Sequence, residues 1–354
     1  MRRIIRCCGA RCPFVSIVIV NYNGEKYLKK CIPAIEKINY PKSRREVILV
    51  DNGSGDGSVT YVRKNFPNVK ILELGRNYGF DEGNNKGASA ARGEYIVFLN
   101  NDVIVSAEWL LELTKIAVKR PKSILTSKLY SLNDPEVIYY DGSKLTFLGR
   151  SVTGARPLNA GRKISIMPES PRQVIYPIGA SIMIRKDLFM KQLMFDNDYF
   201  ISLEDLDIGL RAWLYGYEVI YVPTSIAYHE GSGTVGKGRE ISDLVIYHSA
   251  KNSYMNIIKY FDVYHLLVGV ILSIAFYAIE IIFLTKAKRI SAVKLILLSH
   301  LWVFRNIKAI IEKRLIINEN IKRRRKFLFD SRFFASVSES LLEWRRLRRA
   351  NATL

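Results

Sequence analysis

The first strong pattern along the chain is an apolar, β-branched run, FVSIVIV at residues 14–20, closing on the polar turn NYNG at 21–24. An apolar run of this length suits a strand covered on both faces, as in parallel sheets. Helical periodicity follows to about residue 37, and a second run, EVILV at 46–50, closes on DNGSGDGS at 51–58. Another helix, a third strand at 69–74, a helix around 84–92 and a fourth strand at 95–99 continue the alternation. Strands alternating with helices at this spacing predict right-handed βαβ units and a doubly wound, mostly parallel α/β sheet. Ligands of such sheets bind at the carboxyl ends of the strands. NYNG, DNGSGDGS, GRNYG and NND all fall there, so the pattern alone predicts a site.

Between residues 123 and 171 the pattern breaks into short strands and loops rich in Gly, Pro and Asn. Regularity resumes with YPIGAS at 176–181 and with helical spacing after the acidic pair in FISLEDLDIGLRAW at 200–213. Residues 218–222 read as a strand, and YHEGSGT at 228–234 reads as a loop. Beyond residue 262 the character changes. Residues 266–285 carry one charge, Glu280, and are long enough to cross a bilayer. Residues 291–311 are apolar but hold Lys294, Arg305 and Lys308. The expected division is an α/β domain over 14–262 and an apolar, basic helical region over 263–354.

Charge sharpens this picture. The net charge is +21, and from Lys286 onward eighteen Lys and Arg face five Asp and Glu. Such a tail attracts polyanions, either nucleic acid or anionic lipid. Here it adjoins apolar helices without interleaved aromatic stacking platforms, which favours lipid. A single crossing at 266–285 would put the tail opposite the α/β domain, against the positive-inside tendency. The expected arrangement is therefore association with one membrane face, the cytoplasmic one. Cys7, Cys8, Cys12 and Cys31 match no metal-binding spacing and are expected to be reduced thiols. The N-terminal stretch lacks the apolar run of a signal peptide.

Four clusters carry candidate chemistry. Asp102, after the strand at 95–99 and behind Asn100 and Asn101, is a hard carboxylate suited to Mg2+ or Mn2+ with substrate phosphates; an Asp there is also a common helix cap. Glu204 and Asp205 open a helix, where they favour its dipole, and a carboxylate there could equally serve as general base toward an acceptor hydroxyl. Asp207 is a further first-turn acid. His229 is either structural or a second metal ligand. Asp51 could accept hydrogen bonds from a base or ribose. DNGSGDGS lacks the spacing of a calcium loop, and no G-x-G-x-x-G or P-loop motif is present, which excludes a dinucleotide dehydrogenase and a P-loop NTPase.

In order, VSIVIVNYNG (15–24), VDNGSGDGS (50–58), GRNYGFDEGNNKG (75–87), GEYIVFLNNDV (93–103), YPIGASIMIRKDLF (176–189), FISLEDLDIGLRAWLYGYEV (200–219) and YHEGSGT (228–234) resemble the family 2 inverting glycosyltransferases of GT-A fold. The rhamnosyltransferase-like and galactofuranosyltransferase-like members, whose metal motif reads Asn-x-Asp, are most similar. The resemblance implies a Rossmann-like, mostly parallel sheet with flanking helices, plus C-terminal membrane-associating helices. It implies a nucleotide-sugar donor, a glycan or lipid-linked acceptor and a Mn2+ or Mg2+ cofactor. It assigns Tyr22, Asn23, Asp51, Arg76, Asn77 and Asn101 to substrate binding, and Asp102 with His229 to the metal, Asn100 replacing the usual first Asp. Asp205 becomes the catalytic base, with Glu204 beside it. Rival readings are a polyprenyl-phosphate glycosyltransferase, whose Asp-rich motif is absent; a processive synthase, whose Gln-x-x-Arg-Trp element is absent; and a non-catalytic basic protein that binds membrane or nucleic acid.

Overall fold

The computed structural model describes residues 6–7, 10–140, 142–151, 156–157, 170–231, 243–336 and 339–340. The alternation read from the sequence forms β1 (Val15–Asn21), α1 (Glu25–Glu36), β2 (Arg45–Asp51), α2 (Ser58–Asn65), β3 (Lys70–Glu73), α3 (Gly79–Ala90) and β4 (Tyr95–Leu99). β5 (Val103–Val105), α4 (Trp109–Lys119), β6 (Ser123–Ser131), β7 (Val137–Tyr140), β8 (Ser181–Arg185), α5 (Glu204–Leu214) and β9 (Glu218–His229) follow. The four strands β3-β2-β1-β4 lie side by side and parallel. Their order reverses between β1 and β4, which makes the crevice beyond those two strands the place for a ligand. NYNG and NND end those two strands.

Beyond β4 the sheet becomes mixed. β8 runs antiparallel to both β4 and β6, and β9 runs parallel to β6 and antiparallel to β5. Three boundaries differ from the pattern-based reading. β6 is nine residues long where only short strands were expected, because its pairing with β8 and β9 supplies the order that the sequence lacks. α3 begins at Gly79, not near residue 84; the Asn77 side chain caps it by accepting from the Gly79 N–H at 2.8 Å. β9 continues through Pro223 to His229, so His229 ends a strand and does not sit in a loop. Pro223 falls within the register shift between Val222 and Ile226, where no ladder bond is required. Ser232, Gly233 and Thr234 of the YHEGSGT motif lie outside the described residues. Cys12 and Cys31 are buried thiols; the Cys7 and Cys8 side chains lie outside the described residues.

The remainder is helical: α6 (Asp243–Tyr260), α7 (Val263–Lys286), α8 (Ile290–Arg305) and α9 (Ile307–Glu319). α7 has a mean hydropathy of 2.5 with only 17% of that stretch buried, so it is long and apolar enough to cross a membrane. α8 and α9 meet at 62°, and both expose apolar side chains, among them Leu297, Phe304, Leu315 and Ile316. The chain then returns to the α/β domain. Phe327 and Phe333 pack on Trp213 at 5.1 and 5.3 Å. The Leu145 N–H donates to the Phe333 carbonyl, and the Ala335 N–H donates to the Leu145 carbonyl. Leu328, Phe333 and Phe334 thereby join the same buried cluster as β1 and β4.

Candidate active site

The turn after β2 closes on itself. The Asp51 carboxylate accepts from the Gly53 and Ser54 N–H groups at 3.2 and 2.9 Å and from the Ser54 hydroxyl at 2.6 Å. Asn21, ending β1, donates to Asp51 at 3.3 Å and to Ser54 at 3.1 Å. Asp51 is 3% exposed, and its hydrogen-bonding capacity is largely used within the turn it shapes. Asn23 accepts from the Gly55 N–H at 2.8 Å, while Tyr22 is 51% exposed beside it. Gly53 has φ +78 and no room for a Cβ, which would meet the Arg76 backbone at 2.8 Å. The turn is thereby pressed against Arg76, whose guanidinium lies over the Tyr78 ring at 4.4 Å. Tyr22, Arg76 and the 51–55 turn form one rim, with Asn77 committed to capping α3.

The rim continues into NND. Asn101 donates to the Asn21 side chain at 2.8 Å, and a Cβ on Gly24 would strike both side-chain amides at 2.3 Å. Asp102 faces His229 because β5 and β9 pair in antiparallel register, His229 opposite Val103. Asp102 Oδ1 and His229 Nε2 are 3.1 Å apart. The edge of the His229 ring lies against Tyr139 at 4.6 Å and 88°, while its buried Nδ1 has no hydrogen-bond partner. Among the described residues no group of three or more His, Cys, Asp or Glu converges. A carboxylate and an imidazole in contact, with a ring nitrogen left over, fit a divalent cation whose other ligands come from substrate oxygens.

The acidic pair is reached through β8. The Gly179 N–H donates to Asp205 Oδ2 at 3.1 Å, and the adjacent Ala180 carbonyl accepts from the Asn100 N–H at 3.2 Å. One dipeptide therefore bridges Asp205 to the NND turn. Tyr139 lies between the two halves: burial, then Asp102 and Asp205, pushes its hydroxyl up to about 12. Burial pushes Asp205 up to about 6 against its backbone N–H donors. Burial and the neighbouring Asp205 raise Glu204 further, to about 8. Both carboxyls thus approach the range useful for proton transfer near neutrality.

The loop leading into this pair is strained. Phe200, Ser202 and Leu203 all have positive φ, between 65 and 69°, a conformation that costs about 1–3 kcal/mol per non-glycine residue. The Asn252 amide on α6 holds it, donating to the Tyr199, Ile201 and Ser202 carbonyls at 3.2, 2.9 and 2.6 Å. Asn252→Asp reverses the sign of that contact and is expected to free the loop. Limited proteolysis should then cut at residues 198–203, with turnover down at least about tenfold for a loss near 1.4 kcal/mol.

Asp207 differs from its two neighbours. Its carboxylate takes Arg211 at 2.8 Å, Lys259 and the Tyr260 hydroxyl. Burial opposes its charge, but Lys259 and Arg211 hold it below the usual carboxylate range. Asp207 is an anchor of the fold, not a free first-turn acid. Asp81 is the residue that motif reading passed over. It is fully buried on α3, neither oxygen has a hydrogen-bond partner, and burial and Glu204 raise its pKa strongly. Its first-turn position gave only the signal of an ordinary solvated acid.

The sequence model of the glycosyl transferase family 2 domain matches residues 16–193, about half of the chain. The chain belongs to glycosyl transferase family 2. The N-acetylglucosaminyl-diphospho-decaprenol L-rhamnosyltransferase of Mycobacterium tuberculosis is 25% identical to this family member over 261 residues, 68% of this chain and 82% of that one. The rhamnosyltransferase WbbL of Escherichia coli is 27% identical over 234 residues, 61% and 83% of the two chains. The glycosyltransferase AglE of Haloferax volcanii is 36% identical over 101 residues, so this chain spans only 33% of its length. Two solved structures share the GT-A-like fold. A GalNAc-T enzyme with UDP, GalNAc and Mn2+ has a TM-score of 0.56 at 18% identity, covering 71% of this chain and 49% of that one. The Pyrobaculum calidifontis mannosyltransferase with GDP-Man and Mn2+ has a TM-score of 0.51 at 14% identity, covering 87% and 86%.

Proposed function

We propose that this family 2 glycosyltransferase moves a sugar from a nucleoside-diphosphate-sugar to a hydroxyl of a glycan or lipid-linked saccharide, with inversion and without processivity. The reading is carried by the bridge from Asp205 through Gly179 and Ala180 to the NND turn. It sets a tunable carboxylate beside a cation-binding pair. The rim of Tyr22, Asn23, Arg76 and Asn101 receives the nucleotide, with Asp51 and Asn77 shaping the turns that hold it. Asp205 takes the acceptor hydroxyl proton as that oxygen attacks the anomeric carbon, and a single displacement inverts the centre. Glu204, kept protonated by burial, donates to a sugar oxygen. Asp102 and His229 would hold Mn2+ or Mg2+, which when bound would supply positive charge against that of the departing diphosphate. The lipid-linked acceptor of this reading is supported by the mycobacterial relative, an N-acetylglucosaminyl-diphospho-decaprenol L-rhamnosyltransferase.

Purified protein with a panel of nucleoside-diphosphate-sugars should release nucleoside diphosphate only with Mn2+ or Mg2+ present. Release from none of them overturns the reading. Asp102→Ala should weaken metal-dependent donor binding by about tenfold or more in calorimetry, while metal-free nucleotide binding stays unchanged.

The helices beyond residue 262 attach the enzyme to the cytoplasmic membrane face, α7 to α9 lying against lipid with their Lys and Arg at the headgroups. The exposed apolar side chains of α7 and α8 support this. Sedimentation with vesicles containing phosphatidylglycerol should exceed that with neutral vesicles and weaken with salt. Equal binding to a nucleic acid at matched salt would favour the non-catalytic rival.

A further inference from the structure

Helices α6 and α8 are packed together along part of their length. The Tyr254 hydroxyl meets His300 Nε2 at 3.1 Å, and the Lys251 ammonium lies over the Trp302 ring at 4.6 Å. Ala292, Ile296, Ser299 and Val303 form the buried side of α8. A second side of α8 is left open. There, against the first turns of α6, runs a groove of about 490 Å³ walled by Leu244, Tyr247, Leu295, Leu298, Leu301 and Trp302, with Asp243 and Arg305 also lining it. From Leu295 to Arg305 it follows α8 for roughly 15 Å at 1.5 Å per residue.

We propose that this groove binds the isoprenoid chain of a lipid-diphosphate acceptor. The inference rests on the lipid-linked acceptor of the reading above and adds where its hydrocarbon lies. Three observations support it. Leu298 and Leu301 are part of the groove and also about 40% exposed on the apolar face of α8. The groove is therefore open sideways to the same surface that meets lipid, and a chain can enter without leaving an apolar environment. Its inner wall adjoins the catalytic loop: His248, next to Tyr247, stacks on Phe200 at 5.0 Å, and Lys251 donates from beneath Trp302 to the Asp198 carbonyl. The helix that walls the groove thus also contacts residues 198–200, the segment leading into Glu204 and Asp205. Finally, Arg305 supplies a cation matched to a diphosphate, and Lys308 lies exposed at the start of α9. Among the described residues Asp243 is the single acid lining the groove.

The test uses the full chain in detergent micelles and a polyprenyl diphosphate carrying a benzophenone near its ω end. Irradiation should label peptides covering residues 243–247 and 295–305. Unlabelled polyprenyl diphosphate should compete, whereas phosphatidylglycerol at the same concentration should not. Leu298→Trp, and separately Leu244→Trp from the opposite wall, should fill the groove and reduce labelling about tenfold. Nucleoside diphosphate binding, read by calorimetry, should stay unchanged and reports that the fold is intact. Labelling elsewhere, equal competition by phosphatidylglycerol, or full labelling of both tryptophan variants overturns the proposal. Labelling requires no sugar transfer, so its outcome is separate from that of the donor screen.

Discussion

Asp205→Asn should lower turnover by about 10²–10⁴-fold, the range of general base catalysis, while nucleoside diphosphate binding persists. The exchange is nearly isosteric but not neutral. Asp205 accepts from the Leu206 N–H at 2.7 Å and the Gly179 N–H at 3.1 Å, and an amide can satisfy only one of them. Leaving a buried donor unpaired costs about 1–3 kcal/mol, so nucleotide binding must be measured alongside the rate. Retained turnover with intact nucleotide binding would falsify the assignment of the base. The pH profile of the unmodified enzyme gives an independent check. With Asp205 raised to about 6 by burial, the rate should fall about tenfold per unit as pH drops below that value. Urea unfolding measured at each pH separates this loss from one of stability. Burial pushes His248 down to about 4, which costs stability as the pH falls below the ordinary imidazole range. A carboxyl whose folded pKa exceeds its unfolded value gains relative stability when it is protonated. Asp207 and Asp196 are held below the ordinary range, so their contribution is present above roughly pH 4 and fades only in more acidic solution.

Lys259→Met should be the most destabilising single substitution among the ionic residues of the site, costing about 3–5 kcal/mol. Lys259 is 2% exposed and ion-paired with both Asp196, at 2.8 Å, and Asp207. Methionine fills its space but leaves one negative charge on each side short of its partner. Against a total stability of about 5–15 kcal/mol, such a loss should appear as a large fall in the urea midpoint. Lys313 on α9 provides the contrast. It also pairs with Asp196 and with Asp198 at 2.6 Å, but it is 30% exposed. Lys313→Met should therefore cost under about 1 kcal/mol. Equal losses for the two lysines would show that burial does not set the strength of this network.

The parallel half of the sheet was legible because β1, β2 and β4 are apolar on both faces and end in polar turns. Asp102, His229 and Asp205 were named from separate clusters. The register of β5 on β9 brings the first two together, and Gly179 and Ala180 link Asp205, at the start of α5, to the same turn. Other features depend on partners that no local pattern carries. β6 owes its length to β8 and β9, 50 to 100 residues later in the chain. His229 looked like a loop residue because Pro223 interrupts the alternation of β9. Asp51 reads as a ligand in the sequence, yet most of its capacity goes to Gly53, Ser54 and Asn21. Asn252 lies inside a helix, where an asparagine has no distinguishing signal; its role exists only once three carbonyls of another segment face it. Asp81 likewise gains meaning only from its burial near Glu204.

The return of residues 325–335 to Trp213 and Leu145 orders the events of biosynthesis. A polypeptide emerges from the ribosome amino end first, so β1 to β9 are complete before the strip that covers Trp213 exists. Between the two come α7 and α8, the most apolar of the described helices, and then α9. On the membrane-bound reading proposed above, contact with lipid becomes available before the catalytic core can close. Cutting the gene after α6 to delete α7 to α9 would remove the covering strip along with them. Such a fragment should aggregate through its uncovered tryptophan face.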